Sequence, residues 1–298
     1  MNLFKKIQEF LQDYQKIIKP RKLGTIKESV SIIGAGNLAW HLAYALETEG
    51  GVAIEEVYSR DLMNAKRLVS RLYQAKATNQ LDFSASKASL FIIAVPDLYI
   101  GTVAHSLILP PNSMLVHTSG SQSMDLLEGI APQIGVFYPL QTFSKQKEVD
   151  FSQIPFFVEG NTSEMVELLS EIAGNLSHEV YEMNSEERKK LHLAAVFACN
   201  FVNHLLSIAS EQLKKINIPF EVMHPIIVET LNKALEINPV NAQTGPAIRR
   251  DTNTLNAHLD LLENNMLHKN IYQLLTESIQ EMYPMPSNPI NTVENNHN

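Results

Sequence analysis

Residues Ser29 to Ala43 read SVSIIGAGNLAWHLA: a short β-rich run, two glycines one residue apart, then apolar positions at helical spacing. A segment of this kind is a strand that turns sharply into a helix. Gly34, Gly36 and Ala39 fit the spacing G-x-G-x-x-A. Gly34 permits the tight turn, and Gly36 lets the backbone approach a pyrophosphate. Ala39 allows helix and strand to pack closely, while the helix N-terminus supplies N–H donors and a favourable dipole. Gly34, Gly36, Asn37, Leu38 and Ala39 are therefore the expected dinucleotide-binding turn. Because any tight strand–helix turn favours glycine, the reading rests on the strand before and the helix after.

The rest of the first half continues the pattern. Val52–Tyr58, Ala75–Thr78, Ser89–Val95, Met114–Thr118, Gly135–Tyr138 and an edge strand at Pro155–Glu159 alternate with helical segments. Continuous apolar strands separated by helices predict a parallel sheet covered on both faces. Beyond Gly160 helical periodicity dominates, over Ser163–Ala173, Asn184–Ile216, Phe220–Leu235, Arg249–Glu263 and Lys269–Met282. Asn184 and Glu187 suggest a capping box at the start of the long helix. The expected fold is thus α/β: an N-terminal doubly wound domain over residues 29–160, then an all-α domain over 161–283. An amphipathic helical extension is expected over residues 1–28 and a Pro/Asn-rich disordered tail over 284–298.

Composition narrows the function classes. With 298 residues and 45% apolar content the chain can bury two domain cores, and its net charge of −8 argues against a nucleic-acid partner. A single cysteine, Cys199, excludes an internal disulfide and fits a reducing, cytoplasmic setting. The scattered histidines lack paired ligand spacing, so no metal site is expected. Leu191–Ala209 is apolar but contains His192, Asn200, Asn203 and His204. It is read as a helix buried in a core or an oligomer interface and not as a membrane span. Leu3–Ile18 shows helical spacing with interspersed lysines, which suggests docking on the protein or a partner, with an interfacial membrane anchor as the alternative.

Further candidates fall at strand ends. After the second strand, Ser59 and Arg60 suit a 2′-phosphate and favour NADP over NAD; Asp61 in an acidic ribose-binding role is the alternative. Ala94, Val95 and Pro96 end the strongest strand where a cofactor ribose and nicotinamide would pass. His117, Ser119 and Gly120, in the HTSGS run, and Gln141 lie at later strand ends and are candidate substrate contacts; a hydroxyl-rich turn and a linking loop are the plainer readings. In the helical half, Asn200 and His204 share a face by their spacing of four, with His192 two turns earlier. Thr244, Gly245 and Arg249 form a loop-to-helix junction able to hold a carboxylate or phosphate.

The segments IIGAGNLAWHLA, FIIAVPD, VHTSGS, GVFYPLQTF, ACNFVNHL and QTGPAIRRDTNTLNAHL, in this order, resemble Rossmann-like NADP oxidoreductases with a C-terminal helical domain of unknown function. More distantly, the layout is similar to pyrroline-5-carboxylate reductase, prephenate dehydrogenase and the 6-phosphogluconate dehydrogenase superfamily. The resemblance implies a helical domain of the 6-phosphogluconate dehydrogenase C-terminal type, homodimerisation through it, NADP(H) as cofactor and a small-molecule C=O or C=N substrate. On this reading His204 is the first candidate for proton transfer, with Asn200 and Ser119 beside it. The relatives' catalytic lysine and one of their histidines have no counterpart here. That gap leaves open a non-catalytic NADP(H) sensor acting through a protein partner, and a structural dimerisation module with a vestigial cofactor fold.

Overall fold

The computed structural model describes residues 28–284. The expected N-terminal helix and all but the first residue of the expected tail lie outside this range. Among the described residues the chain divides into two compact units, one through Val202 and one from Asn203.

The first unit is built on eight strands: β1 (Ser29–Ile33), β2 (Ala53–Tyr58), β3 (Lys76–Thr78), β4 (Leu90–Ile93), β5 (Met114–His117), β6 (Gln133–Pro139), β7 (Phe156–Gly160) and β8 (Val180–Glu182). They lie in the order β3-β2-β1-β4-β5-β6-β7-β8, all neighbours parallel except β6 and β7. The first six reproduce the doubly wound order 3-2-1-4-5-6. Helices α1 (Asn37–Thr48), α2 (Leu62–Val69), α3 (Ile100–Ser106) and α4 (Ser163–Leu176) connect them. Strand alternation sends Ile32 and Ile92 into one core with Leu42, Leu46 and Leu169, and Ile33, Phe91 and Ile93 into a second with Ile100 and Leu115. Both faces of the central strands are buried, which accounts for their unbroken apolar runs.

The domain boundary expected at 160/161 needs correction. The sheet continues past it: α4 packs on β7 and β8, and β8 pairs with β7 outside the strand expected to form the edge. Three-residue strands such as β8 carry too little periodicity to be read from sequence. After β5 the chain makes a single 3₁₀ turn, Met124–Leu127, capped by Ser123.

One long helix runs from Ser185 to Lys215, comprising α5 (Ser185–Ala195), a π-helical stretch (Val196–Phe201) and α6 (Val202–Lys215). Asn184 caps it as expected, its side chain accepting the Glu187 N–H at 2.9 Å. By length and composition it could cross a membrane, with an 18-residue window of mean hydropathy 1.5, none of it buried. The expectation of burial within the chain's own core is therefore wrong: Leu193, Phe197 and Phe201 are exposed. The second unit continues with α7 (His224–Ile237), α8 (Pro239–Ala242), α9 (Thr252–Leu261) and α10 (Met266–Met282).

Candidate active site

At the carboxyl ends of β1, β2 and β4 lies a cleft of about 510 Å³. Its lining includes Gly34, Gly36, Ser59, Arg60 and Ala94–Pro96, seven of the ten residues expected to hold a dinucleotide. Gly34 has φ +137°, and a Cβ there would fall 2.2 Å from the Ala94 carbonyl oxygen, so no other residue fits. A Cβ on Gly36 would point into open space, the room that a closely approaching pyrophosphate requires. Helix α1 starts immediately afterwards without a side-chain cap or an acidic first turn. Its first N–H groups thus remain available to an anion.

The three other expected residues act differently. Asn37 is exposed at the first position of α1, while Leu38 and Ala39 face the core; Ala39 is fully buried. Leu38 and Ala39 thus contribute helix–strand packing, while Asn37 carries the first of the uncapped α1 N–H groups.

The β2 end separates the two readings of its charged residues. Asp61 caps α2, accepting the Met63 N–H at 2.9 Å, and does not line the cleft. Arg60 does, with its guanidinium 5.0 Å from the centre of the Tyr99 ring, a cation–π contact that holds it over the opening. Tyr99, Asn64, Thr102 and Ser106 also line the cleft and were missed from sequence. They come from helices, where a lone polar residue looks like ordinary solvated surface.

At the β5 and β6 ends, buried groups bind the loops together. His117 is fully buried: Nδ1 accepts the Ser119 N–H at 3.1 Å and Nε2 donates to the Ser123 carbonyl at 3.2 Å. Burial, reinforced by the Arg188 charge, pushes its pKa down to about 4. The ring is neutral and fully engaged, so His117 is no substrate ligand. Ser119 is likewise buried, with its hydroxyl accepting the Ser121 and Gln122 N–H groups, each at 3.1 Å. Its hydroxyl thus shapes the loop, a structural task in place of the catalytic one expected of it.

Arg188, on α5, organises this region although nothing in its sequence context marks it. Its fully buried guanidinium pairs with Glu159 and donates to the Ser119 carbonyl (3.2 Å), the Gln122 carbonyl (2.6 Å) and the Ser185 hydroxyl (3.1 Å). The clamp fixes the HTSGS loop to the start of the long helix. Within it, the Tyr138 hydroxyl lies 3.2 Å from His192 Nδ1, and the Ser121 hydroxyl donates to Asp97 at 2.6 Å. A Cβ on Gly120 would fall 2.6 Å from Tyr138 Cζ and 2.7 Å from His192 Nδ1. Gly120 therefore makes room for the Tyr138–His192 pair. Gln141 is exposed and accepts the N–H and hydroxyl of its neighbour Thr142.

Asn200 and His204 are both exposed. Asn200 lies within the π-helical stretch and His204 in the α-helical turn that follows it. In the second unit, Thr244 and Arg249 are exposed and Gly245 has φ +107°. Helix α9 begins only at Thr252, capped by Asp251. The adjacent Arg250 is engaged by the Ala247 and Tyr283 carbonyls.

This fold and cleft define a Rossmann-type dinucleotide-binding protein. Residues 17–141 match the Rossmann-like domain family, and residues 154–279 match DUF2520, a domain of unknown function. A Bacteroides fragilis protein provisionally named an NADP oxidoreductase is 44% identical, with 85% of this chain and 98% of that one covered at a TM-score of 0.78. The chain belongs to this family of Rossmann-like proteins with a C-terminal DUF2520 domain. A Thermotoga maritima protein (24% identity, 84% and 99% covered, TM-score 0.65) shares the fold. So does the Aspergillus terreus reductive aminase solved with NADPH and ethyl levulinate (12% identity, 86% and 95% covered, TM-score 0.59). No curated protein matches the sequence.

Proposed function

We propose that the protein is an NADP(H)-dependent oxidoreductase acting on a small C=O or C=N substrate. The observation that carries this reading is the single cleft joining the glycine turn, Ser59–Arg60 and Ala94–Pro96. The chemistry that NADP(H) supplies when bound is hydride transfer at its nicotinamide. The Gly34–Gly36 turn and the α1 N-terminus seat the pyrophosphate; Ser59 and Arg60 hold the 2′-phosphate; Val95 and Pro96 border the ribose and nicotinamide. Its 44%-identical relative and the NADPH-bound reductive aminase support the choice of cofactor. Gln141 and Asn200 are the proposed substrate-side positions of the first unit outside the sheet's clamp. A reducing cytoplasm is the proposed location, in keeping with the exposed thiol of Cys199.

Reduction of a panel of cyclic imines and keto acids with NADPH tests the activity. At least one is expected to be turned over, whereas saturable NADPH binding with no turnover across the panel favours a sensor. The exposed apolar side chains of α5–α7, among them Leu193, Phe197, Phe201, Ile226 and Leu231, support a homodimer as the working assembly. Sedimentation as a 33.5 kDa monomer at micromolar concentration would contradict that assembly.

A further inference from the structure

The clamp holds a second device, whose interpretation rests on the oxidoreductase reading. Tyr138 is the penultimate residue of β6, and His192 sits on α5. Their side chains meet at 3.2 Å with the rings edge to face, 6.2 Å between centroids at 68°. The pair lies at the carboxyl edge of the sheet, where doubly wound folds bind their ligands. It adjoins the Ser121–Asp97 contact, and Asp97 directly follows the cleft-lining Val95 and Pro96. The nearby residues each have an assigned task. His117 and Ser119 are engaged in the loop, and Arg188 is neutralised by Glu159.

We propose that Tyr138 donates the proton to the heteroatom of the reduced C=O or C=N bond, and that His192 resupplies it. The substrate carbon gains the hydride and its oxygen or nitrogen gains the Tyr138 hydroxyl proton. The phenolate oxygen recovers a proton from His192 Nδ1–H as a solvent proton arrives at Nε2; release of the Nε2 proton to solvent and uptake of another at Nδ1 then restore the resting tautomer. Tyr138 becomes the catalytic residue, and His192 positions and recharges it. Burial, with the Asp97 charge adding to it and Arg188 opposing, pushes the Tyr138 pKa up to about 12. The hydroxyl therefore keeps its proton across the neutral range until a substrate takes it.

The direction of the Tyr138–His192 hydrogen bond tests this without any substrate. A phenol hydrogen free to leave for substrate requires His192 Nδ1–H to donate to the Tyr138 oxygen. In ¹⁵N-histidine NMR of the full chain, assigned with His192→Gln, neutral His192 is expected to carry its proton on Nδ1. A bare Nδ1, accepting the Tyr138 hydroxyl, overturns the proposal. For any substrate that the wild type reduces, Tyr138→Phe is expected to lower kcat about 10²- to 10⁴-fold, the usual worth of a general acid. NADPH affinity should stay within about twofold, because the hydroxyl does not contact the cofactor cleft. An unchanged kcat overturns the proposal. Wild-type protein that binds no NADPH removes the oxidoreductase reading and this proposal with it. Protein that binds NADPH but shows a bare Nδ1 removes the proposal alone.

Discussion

Arg188→Met is expected to destabilise the sheet-bearing unit by about 3–5 kcal/mol, the usual cost of leaving half of a buried ion pair behind. Glu159 would keep its charge in a side chain only 15% exposed, and the Ser119 and Gln122 carbonyls would lose their donor. Equilibrium denaturation measures the loss. The double variant Arg188→Met/Glu159→Leu should recover much of it, because no charge is then stranded. The pH dependence gives a second readout. The folded-state pKa of His117, about 4, lies below the ordinary histidine value of 6.5. The unfolded chain therefore binds more protons between these values, and stability falls as pH drops through that window, by on the order of 3 kcal/mol in all. Because the Arg188 charge adds to burial in lowering that pKa, Arg188→Met should shrink the pH-dependent part. A variant as stable as wild type at pH 7 contradicts the account of the clamp.

How much of this was legible in the sequence depends on whether a feature is local. The strands around the glycine turn were readable because buried parallel strands are continuous apolar runs and Gly34 and Gly36 sit one residue apart. The Asn184 cap was readable because cap and partner are three residues apart. The clamp was not. Arg188 lies in the run EERKK, which reads as a solvated helix start, and its partner Glu159 is 29 residues away. Tyr138 and His192 are separated by 54 residues. In the HTSGS loop His117, Thr118 and Ser119 are buried, a distinction from a ligand-facing turn that only burial reveals. The π-helical stretch Val196–Phe201 has no sequence signature.

Selectivity for the 2′-phosphate is the second large effect expected. In the cleft, Ser59 and the Tyr99-backed Arg60 are the groups suited to that phosphate, whereas Asp61, the acid that would favour an unphosphorylated ribose, is engaged as a helix cap. Hydrogen bonds to a charged group contribute about 1.5–3 kcal/mol, or roughly 10- to 150-fold in affinity. Arg60→Ala should therefore weaken NADPH by about that factor while leaving NADH nearly unchanged. Arg60 is exposed, so its truncation removes no core contact. Trp40, the only tryptophan, stacks with Arg71 and Lys145 in a separate cavity, so heat and not fluorescence is the direct signal. The measurement to make is isothermal titration of NADPH and of NADH into wild type and Arg60→Ala. Saturable binding that prefers NADPH in the wild type and loses that preference in the variant is the predicted result. Equal affinity for the two nucleotides, or binding of neither, would contradict the cofactor assignment on which the rest depends.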